Sequence, residues 1–281
     1  MKPAPFAYLR PDSLEAALEA LDEHGADAAI LAGGQSLMPE LATRVRAPKV
    51  LVDVNRIGAA HAMISADSES LTIGANARHR DVVGDATVAR TVPMLAHAGT
   101  LIGNVAIRNR GTFGGSIAHA DPSAEWPLCL LALDGRITVA STSATRSIAA
   151  ETFFTGRNAT SRGADEMVVS ATVPIPDFAF FDEIALRPTA PAIASLSLSR
   201  ARDGTIRTAL GAVADRPILI AATALAALAP DPDWRAVRAV AEAEIGDLFP
   251  VSDRTYRLHL VMTLLGRAAR ALRKVSDPDQ S

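Results

Sequence analysis

Two glycine pairs stand in similar polar company: Gly33-Gly34 in LAGGQS (31–36) and Gly114-Gly115 in GTFGGSIAHADP (111–122), about eighty residues apart in a chain of 281. A glycine pair reaches backbone angles that other residues avoid, and it removes Cβ atoms that would hold a ligand away. Successive N–H groups can then converge on an anion. Gln35, Ser36, Thr112 and Ser116 add hydrogen bonds without adding charge. One such segment suits a phosphate. Two from different parts of a chain suit a pyrophosphate held between them, as in a dinucleotide cofactor. Neither segment has the spacing of G-x-G-x-x-G or of G-x-x-x-x-G-K-[ST], so those two nucleotide fingerprints are absent. Taken alone, each pair also fits an ordinary turn.

Composition narrows the classes. The net charge is −3, which gives no basic footprint for nucleic acid. The one cysteine, Cys129, can form no internal disulfide and cannot hold a cysteine-rich metal or iron–sulfur site. The start, MKPAPFAYLRP, has no apolar leader and carries three prolines. The run PILIAATALAALAP (217–230) is too short to span a bilayer. These features lead to the expectation of a cytoplasmic protein. Abundant alanine and 4% aromatic residues mean that packing relies on small aliphatic side chains.

The elements that must carry the two segments read as follows. Asp12, with Glu15 three residues on, predicts the start of a helix, and Gly25 predicts its end. AAIL (28–31) reads as a short buried strand running straight into Gly33-Gly34, and VLVDV (50–54) as another, which suggests a small α/β unit over 1–57. AMIS and LTIG flank ADSES as a hairpin around 62–74. Residues 78–98 read as helix broken by Pro93, and the five glycines between Gly99 and Gly115 read as loop. RITVAST (136–142) and MVVSATVPI (167–175) read as strands, and Pro174 and Pro176 mark a boundary. Beyond it, DEIALRP, AIASLSLSRA and TIRTALGAVA predict three antiparallel strands with a turn at Asp203-Gly204. Helices are predicted over 217–229, 233–246 and 252–274, the last with Leu260, Val261, Leu264, Leu265, Ala268 and Leu272 on one side.

LAGGQSLMPEL together with IRNRGTFGGSIAHADPSAEWP resembles the FAD-binding medium subunit of the xanthine dehydrogenase and carbon monoxide dehydrogenase family of molybdenum hydroxylases. FFDEIALR and the Asp-Gly hairpin are similar to that family's C-terminal flavoprotein domain. The resemblance implies an α+β fold. Residues 1–176 would form a two-subdomain FAD-binding domain of the vanillyl-alcohol-oxidase-like kind, with subdomains of about 1–57 and 58–176. Residues 177–281 would form a C-terminal domain with a three-stranded antiparallel sheet and helices. It also implies a division of labour: FAD on this chain, two [2Fe–2S] clusters on a small partner subunit, and the molybdenum cofactor on a large one. The chain would take electrons from a cluster and pass them to an external acceptor, with no acid–base pair of its own.

Residue by residue, the resemblance places Leu31, Ala32, Gly33, Gly34, Gln35, Ser36, Leu37 and Met38 in a first FAD loop, and Thr112, Gly114, Gly115 and Ser116 in a second. Ile102 would pack on the cofactor, Val168 would be an apolar contact near the isoalloxazine, and Glu125 would bind polar groups of the cofactor. Arg187 would supply a basic group near the flavin edge. His119 and Asp121 follow the second loop as secondary candidates. Chemistry alone leaves other readings open. Ile102 and Val168 fit a core, Glu125 fits a helix cap before Pro127, Arg108 and Arg110 fit solvent as well as phosphate, and Asp53 and Asn55 fit a strand end and a turn. Relatives commonly have Asn where this chain has Ser116, and the stretch 181–192 departs at Asp182 and Ala190. Those departures are what would favour an assembly subunit of the same fold without FAD.

Overall fold

The computed structural model describes residues 2–276. Near the N-terminus three strands, β1 (Ala7–Leu9), β2 (Ala28–Leu31) and β3 (Val50–Asp53), form a parallel sheet in the order β1-β3-β2. Two helices cover it, as parallel strands require. Helix α1 (Leu14–His24) places Ala17, Leu18 and Leu21 against Val50, Val52 and Val54. Helix α2 (Leu37–Thr43) places Leu37 and Leu41 against Ala29 and Leu51 on the other face. The cap of α1 is Ser13, whose hydroxyl accepts from Ala16 N at 3.1 Å, rather than the expected Asp12. Gly25 ends the helix as expected, at φ 48°.

The next unit is a five-stranded antiparallel sheet. Its strands are β4 (Ile64–Ala66), β5 (Ser70–Gly74), β6 (Arg136–Ala140), β7 (Thr145–Ala149) and, after the short β8 (Phe154–Gly156) and β9 (Ala159–Thr160), β10 (Met167–Pro174), in the order β4-β5-β10-β6-β7. The register of β10 on β6 shifts between Val168 and Ser170, and the bulged Val169 carbonyl accepts from Ala75 N at 2.9 Å. One face of this sheet packs on helices inserted between β5 and β6. They are α3 (His79–Gly84), α4 (Ala86–Thr91), α5 (Pro93–Leu101), α6 (Val105–Arg110), α7 (Phe113–His119) and α8 (Glu125–Ala132). A further short helix, α9 (Ala150–Phe153), follows β7.

The glycine-rich stretch is therefore mostly helix, which corrects the expectation of a loop from Gly99 to Gly115. Gly103 sits at φ 43° in the turn between α5 and α6, but Gly99 and Gly114 answer to neighbours rather than to turns. A Cβ on Gly99, in α5, would lie 2.8 Å from the ring of the fully buried Trp126, and one on Gly114, in α7, would lie 2.4 Å from Ala75 Cβ. The predicted helix over 78–98 is three helices. Asp85 caps α4 through Thr87 N and Val88 N, and Pro93 opens α5 rather than only breaking its predecessor.

The C-terminal sheet runs β11 (Phe178–Ala185), β12 (Ala192–Arg200), β13 (Ile206–Gly211) and β14 (Ile218–Leu219), all antiparallel. It has four strands, not the three expected. Ile218 and Leu219 pair with β13, so α10 (Ala222–Ala227) starts later than the apolar run suggested. With α11 (Trp234–Ile245) and α12 (Arg254–Ser276), α10 covers one face of the sheet, where Ala194, Leu196 and Leu198 meet Leu260, Val261, Leu264 and Leu265. The alternate residues of β12 point the other way. Ser199 Oγ donates to Ala132 O on α8 at 2.6 Å, and Ser197 Oγ donates to Met94 Sδ on α5 at 3.3 Å. The sheet thus has one apolar face under the C-terminal helices and a second, where Ser197 and Ser199 stand among the buried Phe181 and Ala209, that seats it on the helices beside the cleft. Among the described residues, no helix is long and apolar enough to cross a membrane.

Candidate functional site

Strand β2 ends at Leu31, and the chain turns through Gly33-Gly34 into α2. The segment lies beyond the carboxyl ends of a parallel sheet, where open α/β units leave a crevice. Gly34 has φ 72°, which favours glycine. A Cβ on Gly33 would lie 2.5 Å from Arg110 O and 2.6 Å from Gly111 Cα, so the two glycine-bearing segments touch backbone to backbone. Between them opens a cleft of about 530 Å³. That volume suits an organic ligand rather than an ion.

The two segments offer different groups. On the first, the N–H groups of Gly33, Gly34, Gln35, Ser36 and Leu37 have no acceptor among the described residues. On the second, Phe113 N donates to Ala77 O and Gly114 N to Ala75 O, both at 2.8 Å. Gly115 N donates to Thr112 Oγ1 at 3.1 Å, and Ser116 N to Thr112 O at 3.1 Å. The second segment is a capped helix start docked on the chain just after β5, not a loop of free amides. It contributes a surface stripped of Cβ atoms, the Ser116 hydroxyl and the positive end of a short helix.

Most of the residues singled out in the sequence meet here. Ala32, Gly33, Gly34, Gln35, Ser36, Leu37, Ile102, Thr112, Gly114, Gly115, Ser116, Glu125 and Val168 line the cleft. Ile102 and Val168 belong to the core as well as to the lining. Leu31 and Met38 line an adjoining pocket of about 380 Å³ that also takes in Gly33 and Gly34. Arg187 is exposed and lies outside both linings, while Thr189, Ala190 and Pro191, further along the β11–β12 connection, reach the cleft. His119 and Asp121 line the cleft too. Asp121 is held as a turn residue, accepting from Ser123 N at 2.8 Å. His119 contacts Asn158 Nδ2 at 3.2 Å and lies 3.9 Å from Glu40. Arg108 donates to the carbonyls of Thr100, Ile102 and Gly103 at the end of α5, while Arg110 lines the adjoining pocket.

Electrostatics single out two acids and one histidine. Burial pushes Glu125, the first residue of α8, up to about 8, and the nearby charges of Glu183 and Asp121 add to the rise. Burial pushes Glu183 up to about 7, with a further push from Asp182, and its Oε2 has no hydrogen-bond partner among the described residues. Burial lowers His79 to about 4, helped by the charges of Arg78 and Arg108. At pH 7 the wall of the cleft near α8 therefore carries protonated Glu125 and neutral His79.

A brace behind the first segment escaped sequence reasoning. Asn55 Nδ2 donates to Ala32 O at 2.9 Å and to Asp53 Oδ1 at 2.6 Å, and its Oδ1 accepts from Arg78 Nη2 at 2.6 Å. Arg78 also donates to Arg110 O, which ties the two glycine segments together. Burial opposes the charge on Asp53, but hydrogen bonds from Tyr8 and Asn55 outweigh it and hold the carboxyl below its ordinary range. The sequence signal was limited to a polar D-x-N after an apolar strand, which any turn would show. Asn55→Ala is expected to cost about 1–3 kcal/mol by leaving these partners unpaired. The check is a lower urea midpoint at unchanged slope.

Residues 4–176 match the family described as "FAD binding domain in molybdopterin dehydrogenase". The chain belongs to this family. It is 41% identical over 190 residues to the 6-hydroxypseudooxynicotine dehydrogenase complex subunit alpha of Paenarthrobacter nicotinovorans, a match covering 66% of this chain and 64% of that one. It is 35% identical over 223 residues to the glyceraldehyde dehydrogenase medium chain of Sulfolobus acidocaldarius, covering 77% of this chain and 79% of that one. Among solved structures, a chain of quinoline 2-oxidoreductase from Pseudomonas putida 86 superposes with a TM-score of 0.85 at 34% identity, covering 96% of this chain and 99% of that one. The mixed helix-and-strand architecture is thus that of FAD-binding subunits of molybdopterin dehydrogenases, and the FAD-binding domain lies on this chain. The cleft fits that cofactor on its own terms. It supplies five unpartnered amides in a row, a Cβ-free surface facing them, and apolar walls from Ile102 and Val168.

Proposed function

We propose that this chain is the FAD-carrying electron-transfer subunit of a molybdenum hydroxylase complex. In this reading it accepts electrons from [2Fe–2S] clusters on a small partner subunit and passes them to an external acceptor. The large partner subunit carries the molybdenum cofactor and oxidises the substrate. The observation that carries the proposal is the row of free N–H groups from Gly33 to Leu37, opposed by the glycine surface at 114–115. An anionic dinucleotide would satisfy donors that the fold leaves bare.

The residues would divide the binding as follows. Gly33, Gly34, Gln35, Ser36 and Leu37 hold the pyrophosphate, with Ser116 opposite. Gly114 and Gly115 allow close approach, Ile102 and Val168 wall the cofactor apolarly and exclude water, and protonated Glu125 donates a hydrogen bond from the start of α8. When bound, FAD supplies the one- and two-electron chemistry that side chains lack. The chain contributes orientation and access, and its buried Cys129 is far short of a cluster's ligand set. Two relatives are named as a medium chain and as a subunit of a complex, which supports assembly with partners. Purification of the tagged chain from its own host is expected to bring down two further subunits, one containing molybdenum and one containing iron and acid-labile sulfide. Isolation of the chain alone, under conditions that keep complexes together, would contradict the proposal.

A further inference from the structure

We infer that His79 presents its Nε2–H as a fixed, uncharged hydrogen-bond donor to the FAD held in the cleft, and that Trp126 sets this state. The inference rests on reading the cleft as the FAD site. An indole N–H can only donate. Trp126 Nε1 lies 3.0 Å from His79 Nδ1, so Nδ1 keeps its lone pair and accepts. The ring proton must then sit on Nε2, and the ring is neutral, because a doubly protonated imidazole has no lone pair to offer. The rest of the molecule holds the ring there. Trp126 is fully buried and packs edge-on to Phe113 at 5.5 Å between ring centres. His79 N donates to Gly111 O at 3.1 Å.

His79 is 5% exposed, and it lines the cleft. Among the described residues, its Nε2 has no hydrogen-bond acceptor. Gly111 keeps that edge open, since a Cβ there would sit 2.5 Å from Nε2. In a residue otherwise buried, this one donor opens on the cleft, so a ligand that fills the cleft must supply an acceptor there. The complementary chemistry is an oxygen or nitrogen acceptor of the dinucleotide. Burial and the flanking charges of Arg78 and Arg108 keep the imidazolium from forming, so the donor does not change with pH near neutrality.

The test titrates FAD into the folded, FAD-free full-length chain and follows flavin fluorescence across the neutral pH range. His79→Phe, which keeps a ring but no donor, is expected to weaken FAD binding about tenfold. His79→Gln, with an amide donor near the same place, is expected to recover most of that loss. Trp126→Phe frees the tautomer. Burial and the two arginines still keep the ring neutral, so this variant is expected to weaken FAD binding less than His79→Phe does, through loss of the Nε2–H tautomer, and to stay flat across neutral pH like the wild type. A purely packing role would lower the unfolding midpoint of His79→Phe but leave its FAD affinity at the wild-type level, and that would overturn the inference. Should His79→Phe fail to fold, the ¹⁵N resonance of His79 Nε2 in the wild type decides. A shift on FAD saturation supports the contact, and an unmoved resonance overturns it. A wild-type chain that takes up no FAD defeats the underlying reading as well, and so separates the two failures.

Discussion

Gly115→Val is expected to purify folded and without flavin, with FAD affinity reduced at least about a hundredfold, roughly 2.7 kcal/mol. The reason is local. A Cβ at this position would lie 2.6 Å from Thr112 Oγ1 and 3.9 Å from Thr112 Cβ, with nothing else nearby. The obstacle is one rotatable hydroxyl, so the fold can yield at the cost of the Thr112 cap, about 1 kcal/mol. Gly115 is exposed and lines the cleft, so the rest of the valine occupies space that the ligand needs. Gly33→Val makes the contrast. Its Cβ would meet backbone, Arg110 O and Gly111 Cα, so that variant is expected to lose stability together with FAD. Circular dichroism and flavin content, measured on both variants, separate the two effects. Full flavin occupancy in Gly115→Val would contradict the role given to the second glycine pair.

The second large effect concerns Glu125. Its carboxyl titrates near 4.5 in the unfolded chain and is pushed to about 8 in the fold, chiefly by burial. Between those values the folded state binds a proton that the unfolded state does not. Stability from this group is therefore complete below pH 4.5 and is lost as pH rises through 8. The upper bound is about 5 kcal/mol, reduced in practice by water in the cleft. Glu183 titrates with it, so the pair shares the transition. Glu125→Gln stays neutral throughout. In the FAD-free protein it is expected to match the wild type near pH 5 and to melt higher by about 5–10 °C near pH 8.5. Melting curves that stay parallel across that range would contradict the assignment.

The sequence revealed features whose cause is local. AAIL running into Gly33-Gly34 is a strand entering a crevice turn, and the Asp203-Gly204 hairpin forms as read, with Gly204 at φ 88° and Thr205 N on Asp203 Oδ1 at 2.9 Å. The apolar side of α12 is buried at each of the six positions expected. What stayed hidden depends on partners distant in the chain. Gly99 and Gly114 look like loop residues until Trp126 and Ala75 are seen against them. The Asn55–Arg78 brace and the Trp126–His79 bond join residues 23 and 47 positions apart, beyond any periodicity. The likeness in type between the glycine pairs also concealed a difference. Tertiary docking consumes the amides of the second and leaves those of the first free.

The most direct measurement is the visible absorption spectrum of the purified chain, followed by acid release and identification of the chromophore. The expected result is a yellow protein that releases FAD in stoichiometric amount, or that does so once FAD is added. A chain that stays colourless with excess FAD, alone and within its complex, would contradict the claim that these two segments hold a dinucleotide.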